Sequence, residues 1–530
     1  MIALLALICA ISAAQSQEKV REEMVPMRDG VKLAVSIYFP QTGTGPWPVV
    51  LSRTPYGKDQ GVGMARETEA RYLRNGYVRV LEDARGKFKS EGVYRPFAND
   101  LEDGYDTIEW IAKQSWSNGK VGISGASALG IAAYAAAMSM PPHLVAGFVE
   151  VANGMTRPDG GVPKQHIEDW SKRQGVPRPD GPRPTFQTYS AEPGPRDFRR
   201  YPDRISVPFF SVGGYYDIFE QGNIDAFEFL EAKGAPSIQG KNRLVLGPFG
   251  HGPISGDLKY PDGISIGTVD PIPWFDYWLK GIDNGITKEP NVRYFVMGDT
   301  FDKSTPGNQW QNASSWPPKA TATSYYLAPA HSLTAVQPSG DDKVSYVYDP
   351  RDPVKTVGGN NLMLDHGPMD QRAIGSRKDV LKFETEPLKQ AVEVVGPLSA
   401  ELMVSTDAAD TDFMVKLVDV YPNGYEAIVN DGAFRLRYVN GFDKQSRIQS
   451  GAPHKIKVDL WSTALVFNAG HKMAVHVSSS NFPRFERHTN TWEPLLSYDQ
   501  SVMATNTVFL NGSSRIVLPV TKVYPAKSSK

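Results

Sequence analysis

The sequence predicts an α/β fold followed by an all-β domain, and three observations carry that reading. Apolar strand-like runs alternate with helical stretches between residues 27 and 279, the order expected of a mainly parallel sheet. Within that part, residues 120–130 (KVGISGASALG) lead a short strand into an alanine-rich helix through small residues and one hydroxyl, Ser127. Beyond about residue 290 long helices cease and short strand-like segments recur between turns, the texture of a β-sandwich or jelly roll.

A chain of 530 residues is too long for one core, so two or three domains are expected. Hydrophobic content of 41% and charged content of 22% exclude a disordered chain. The net charge of −1 offers no electrostatic attraction to nucleic acid or an anionic membrane, so neither is expected as partner. Nothing in the sequence sets an oligomeric state.

Residues 2–14 form an uncharged apolar run, and Ala14 and Ser16 flank a cleavage position suited to signal peptidase. Residues 1–16 are therefore expected to be a signal peptide and the protein to be secreted or periplasmic, although Ile2 directly follows Met1 and no basic residue precedes the run. The run is too short to span a bilayer and no other reaches 18 apolar residues, so no membrane span is expected. Cys9 is the single cysteine and would leave with the signal, so the mature chain has no disulfide, thiol nucleophile or cysteine metal site.

Residues 17–152 read as the first part of an α/β-hydrolase domain. A turn at 27–30 leads into an alternating strand at 31–38, and buried strands follow at 49–52 and 77–81. Residues 100–112 have helical spacing, with Tyr105, Ile108 and Ile111 on one face, and precede the Ser127 stretch. Residues 153–204, dense in Pro, Gly, Arg and Asp, read as a small inserted cap. Residues 205–289 resume the sheet with strands at 207–212 and 243–246, then a short aromatic helix at 273–279 that stops at the glycine-bounded stretch 281–285. Residues 290–530 make the C-terminal all-β jelly-roll domain, with strands at 292–297, 324–327, 400–404, 413–420, 474–478 and 507–510. No internal repeat is present.

The Ser127 stretch has the layout of a nucleophile elbow, whose strained turn tolerates only small neighbours. It departs from the strict Gly-x-Ser-x-Gly pattern. Leu129 stands two places after Ser127, with Gly130 one later, and the nearby Ser124 has Ala126 where the second glycine would be. The turn presents the Ser127 hydroxyl at a helix N-terminus, where free N–H groups and the helix dipole favour an oxyanion.

A serine nucleophile needs a base, and the base needs an orienting carboxylate. On this fold both follow the serine, acid first, each on a loop after a strand. Asp217 ends the loop 213–217 (GGYYD), and His251 lies in 247–252 (GPFGHG). Of nine histidines, six lie beyond residue 330, His143 sits near the end of the elbow helix and His166 in the cap, so only His251 occupies a glycine-flanked loop after a sheet strand. A Ser127–His251–Asp217 triad is thus expected, and it needs no metal or organic cofactor.

Several stretches together resemble the family of cocaine esterase, α-amino-acid ester hydrolase and glutaryl acylase, related to X-Pro dipeptidyl-peptidase. They include 52–58 (SRTPYGK), 82–86 (EDARG), 90–92 (SEG), 116–122 (WSNGKVG), 214–219 (GYYDIF), 274–285 (WFDYWLKGIDNG), 410–413 (DTDF), 418–424 (VDVYPNG) and 479–484 (SSNFPR). In order, they cover about residues 25–515. The resemblance implies the same three roles for Ser127, Asp217 and His251. It implies an oxyanion hole made by the Tyr56 hydroxyl and the backbone N–H of Ala128, a place where the family usually has tyrosine.

The resemblance also bears on substrate. Members that take α-amino acyl groups carry acids beside the triad acid; here Phe219 stands two places after Asp217, where the esterase branch has an aromatic lining the acyl pocket. Glu220 follows, with the direction of its side chain open. An uncharged or aromatic acyl group is therefore expected, and the short cap interval predicts an open acyl pocket. Asp83 and Arg85 are read as an ion pair bracing loops, and the acidic cluster 407–412, whose spacing does not suit a calcium loop, as a solvated turn. The expected function is a serine hydrolase cleaving small-molecule ester or amide bonds through an acyl-enzyme. The alternatives are an X-Pro dipeptidyl-peptidase-type exopeptidase and a glycan-binding protein whose hydrolase domain is degenerate.

Overall fold

A computed structural model describes residues 20–59, 69–173, 175, 197–202, 204–261, 264–494 and 497–526. The expected signal peptide (1–16) and much of the expected cap lie outside the described residues.

One sheet of ten described strands organises the first part of the chain. They are β1 (Val20–Pro26), β2 (Lys32–Tyr38), β3 (Trp47–Thr54), β4 (Val78–Asp83), β5 (Ser117–Ala126), β6 (Leu144–Glu150), β7 (Phe209–Tyr216), β8 (Arg243–Gly250), β9 (Val292–Val296) and β10 (Gln309–Ala313). Their order across the sheet is β1-β2-β4-β3-β5-β6-β7-β8-β9-β10. Neighbours from β4 through β9 pair in parallel, while β1, β2 and β10 pair antiparallel at the edges. The parallel strands are apolar almost throughout because both sheet faces are covered.

On one face, the helix Asp100–Ala112 packs against the helix Ala128–Met138. Gly104 makes this approach possible: a Cβ there would stand 2.5 Å from that of Ala136. On the other face, the aromatic segment Ile272–Lys280 drives Trp274 and Phe275 into the sheet and ends at Gly281, whose φ of 74° suits a helix stop.

The sheet does not end where the sequence reading divides the chain. β9 and β10 lie beyond the expected boundary at 289/290, yet β9 pairs in parallel with β8. Periodicity identifies a strand at 292–297 but does not say which sheet it joins. The second sheet system begins with the strand Thr321–Ala328 and comprises eleven described strands, ending with Arg515–Val523.

The two parts share one core. Buried side chains from the first sheet (Tyr215, Leu246, Phe295) and from the β-domain (Leu398, Leu460, Phe467) belong to a single apolar cluster. Backbone bonds cross the seam as well: Met297 N–H donates to the Ala464 carbonyl and Val466 N–H to the Met297 carbonyl, each at 2.9 Å.

Of the acids in the cluster at 407–412, read as a solvated turn, only Asp407 is exposed. Asp410 and Asp412 are fully buried, Asp412 gripped by Arg435 at 2.8 Å and Asp410 by Arg437 and His488. The arginines that neutralise it come from more than twenty residues away, which local spacing does not reveal.

Candidate active site

Ser127, Asp217 and His251 arrive together from the C-terminal edge of the parallel sheet, after β5, β7 and β8. This edge is where open α/β sheets place their loops and ligands. Ser127 sits at φ 57°, ψ −125°, outside the region a serine ordinarily occupies. The strained turn is tied from both sides: Ser127 N–H donates to the Glu150 carbonyl at 3.0 Å, and Ile131 N–H donates to the Ser127 carbonyl at 3.0 Å.

The glycines around it explain the departure from the strict elbow pattern. A Cβ on Gly125 would lie 2.5 Å from the Leu129 Cβ, so a glycine two places before the serine makes room for leucine two places after. Gly130 serves the helix–strand approach, since a Cβ there would lie 2.6 Å from the Ala152 Cβ.

His251 Nε2 is 2.8 Å from Ser127 Oγ, and His251 Nδ1 is 2.6 Å from Asp217 Oδ2. With Nδ1 facing a carboxylate it carries the proton, which leaves Nε2 to accept from the serine hydroxyl. Asp217 is fully buried, and its other oxygen accepts the Phe219 N–H at 2.7 Å. Phe219 stands edge-on to the imidazole, ring centres 5.7 Å apart, and fixes its plane from the side.

Tyr56 follows Pro55 at the end of β3 and reaches over the serine. Its phenol is held above the ordinary tyrosine value by burial, against the opposing effect of hydrogen bonds with Trp170 and Ser127. The hydroxyl therefore keeps its proton. Ala128 opens the helix behind Ser127 and is buried; an N–H in a first helical turn has no carbonyl partner within its own helix.

A cavity of about 520 Å³ opens at Ser127. Its walls include Tyr56, Ala128 and Phe219, the cap residues Ile167 and Trp170, and Trp461 from the β-domain. Polar side chains also line it: Lys164 is 2.9 Å from Asp159, and Arg157 pairs with Asp225 and Asp459. Burial pulls the Lys164 ammonium below its usual pKa, against the attraction of Asp159.

Sequence reasoning did not find Trp170, Lys164, Arg157 or Trp461. Each reaches the pocket through tertiary packing, and no local motif marks it. Glu220, whose direction the sequence left open, is fully buried beneath the site. It accepts from Asn360 at 2.9 Å and Asn430 at 3.4 Å, and burial pushes its pKa well up. It does not line the cavity among the described residues.

Asp83 and Arg85 brace loops, but not each other. Asp83 accepts the Lys58 N–H at 2.6 Å, and Arg85 pairs with Asp103 at 2.5 Å and Asp29 at 2.7 Å. Backbone N–H groups of Lys58 and Lys89 occupy the Asp83 carboxylate while two other carboxylates occupy the Arg85 guanidinium, so nearness in sequence is no guide to pairing here.

Comparison with known proteins agrees with this architecture. Residues 29–188 match the X-Pro dipeptidyl-peptidase (S15) family model, and residues 284–515 match the X-Pro dipeptidyl-peptidase C-terminal non-catalytic domain. The crystal structure of an aminopeptidase from the marine sediment archaeon Thaumarchaeota archaeon superposes with a TM-score of 0.78 at 24% identity, covering 96% of this chain and 97% of that one. An α-amino acid ester hydrolase labelled with selenomethionine superposes with a TM-score of 0.76 at 27% identity, covering 94% and 96%. The cocaine esterase of Rhodococcus sp. (strain MB1 Bresler) is 32% identical, over 94% of this chain and 98% of its own length. The chain belongs to the cocaine-esterase family of serine hydrolases.

Proposed function

We propose that this protein is an acyl esterase in which Ser127 is the nucleophile, His251 the base and Asp217 the group that orients it. The observation that carries the reading is the unbroken relay of 2.6 Å and 2.8 Å from Asp217 through His251 to Ser127. His251 Nε2 takes the hydroxyl proton as Ser127 Oγ attacks the acyl carbon, and Asp217 stabilises the imidazolium that results. The tetrahedral oxyanion is held by the Tyr56 hydroxyl and the Ala128 N–H. His251 then returns the proton to the leaving alcohol, and water, activated by the same base, releases the acid from the acyl-enzyme.

An uncharged or aromatic acyl group suits the pocket. Phe219 and Trp170 are among its walls, Asp159 is already neutralised by Lys164, and Glu220 faces away. These features favour esters of such acids over peptides that present a free ammonium. The names of the relatives, an esterase and an ester hydrolase, support the same choice. Export belongs to this reading too, supported by the apolar run at 2–14.

A fluorophosphonate probe tests the nucleophile. It should modify Ser127 alone, read by peptide mass spectrometry, and the Ser127→Ala protein should stay unlabelled. Folded protein that resists the probe would favour the degenerate, carbohydrate-binding alternative.

A further inference from the structure

A second cavity, of about 1000 Å³, lies along the seam between the hydrolase part and the β-domain. Among the described residues, Arg157, Asp159 and Trp461 line both this cavity and the pocket at Ser127. These three side chains form the wall between the two spaces. Of the three, only Trp461 is large and uncharged.

Trp461 is held in that wall by an unusual backbone. It lies within the strand His454–Phe467, whose pairing with Val392–Thr406 slips between Asp459↔Ser399 and Ser462↔Pro397. Leu460 and Trp461 thus stand opposite the single residue Leu398, a β-bulge, the device that re-aims a side chain out of a strand. Trp461 has a φ of 60°, a left-handed conformation that a bulky residue adopts only where its surroundings enforce it. Its N–H donates to Asp459 Oδ1 at 2.9 Å, and the other Asp459 oxygen pairs with Arg157.

The ring has a cation from each cavity beside it. Lys164, which lines the Ser127 pocket, has its ammonium 4.6 Å from the ring centre; the Arg484 guanidinium, which lines the seam cavity, is 5.5 Å away. The cap turn opposite is left-handed as well, with Asp159 at φ 46° and Gly160 at φ 68°. A Cβ on Gly160 would fall 1.7 Å from the Ala433 carbonyl oxygen, so the turn is pressed onto the β-domain. Backbone strain on both sides of one partition, together with two cation–ring contacts, is more than packing alone requires.

We propose that Trp461 is a specificity-determining residue that closes the acyl pocket, and that the seam cavity behind it is a latent subsite for the distal part of longer acyl chains. The lining is mixed: ionisable residues such as Glu228, Glu401 and Lys455 stand beside the apolar Leu398, Phe434 and Phe485, and the apolar side is the one an alkyl chain would follow. The inference rests on the acyl-esterase reading above. Glycine accepts a φ of 60° without strain, so Trp461→Gly takes the one large uncharged side chain out of the partition, leaving Arg157 and Asp159, and relieves the backbone together.

The test is kcat/KM for p-nitrophenyl esters from acetate to decanoate, with wild type, Trp461→Gly and Trp461→Phe compared and Ser127→Ala as blank. The ratio of decanoate to acetate should rise by roughly tenfold or more in Trp461→Gly. It should rise less, in the same direction, in Trp461→Phe, which keeps a ring but shortens the partition. An unchanged ratio in either folded variant overturns the proposal while leaving the esterase reading intact. If wild type fails to turn over acetate above the Ser127→Ala blank, both readings fall.

Discussion

At the residue scale, the hydroxyl of Tyr56 is the group beside Ser127 whose removal is most informative. Burial holds its pKa above the ordinary tyrosine value, and it lines the same cavity as Ser127, which suits the oxyanion role proposed for it. Tyr56→Phe removes that donor and nothing else of size. A working oxyanion donor is worth about 10²–10³ in kcat, so stopped-flow or steady-state assay of Tyr56→Phe should show a loss in that range with KM little altered. A loss of tenfold or less would leave the oxyanion to Ala128 alone. The convergence of Ser127, Asp217 and His251 was legible in the sequence because each follows a sheet strand in a glycine-containing turn, in an order the fold imposes. Trp461 was not legible: its place in the wall depends on a bulge 334 residues beyond the serine. Nor was the direction of Glu220, which is decided by two asparagines, Asn360 and Asn430, of the β-domain.

At the scale of elements, the strand–turn–helix unit of β5 and Ala128–Met138 shows why an imperfect motif can still build an elbow. What the turn requires is space between the residues two before and two after the serine, and one glycine supplies it. Gly125→Ala should therefore bring its new methyl against Leu129, displace Ser127 from His251, and lower kcat/KM by at least about tenfold while the fold persists. Circular dichroism with assay of the same sample checks it; a fully active Gly125→Ala would mean that the turn has slack the structure does not show. The alternation of strands and helices was readable up to the elbow, since apolar runs with turn punctuation leave few other choices. The membership of β9 and β10 was not, because a short strand carries no mark of its sheet. The buried Asp410 and Asp412 misled for a related reason: acids in a turn look solvated until distant arginines are placed against them.

For the whole molecule, the β-domain is part of the enzyme and not an appendage. It shares a core with the sheet, bonds to it through Met297, and contributes Trp461 to the pocket wall. The cap supplies Trp170 and Lys164 from the opposite side, so the pocket is assembled from three stretches of chain that no single motif spans. Among the described residues that line the pocket, Asp159 is the one acid and Lys164 pairs with it, which supports the proposed preference for esters over substrates that present an ammonium. The most direct measurement is kcat/KM for p-nitrophenyl butyrate against X-Pro p-nitroanilides, each corrected with Ser127→Ala. Ester turnover should lie far above anilide turnover, with both abolished in the variant. Preferred release of p-nitroaniline after X-Pro, or ester hydrolysis that survives the loss of Ser127, would contradict the acyl-esterase reading.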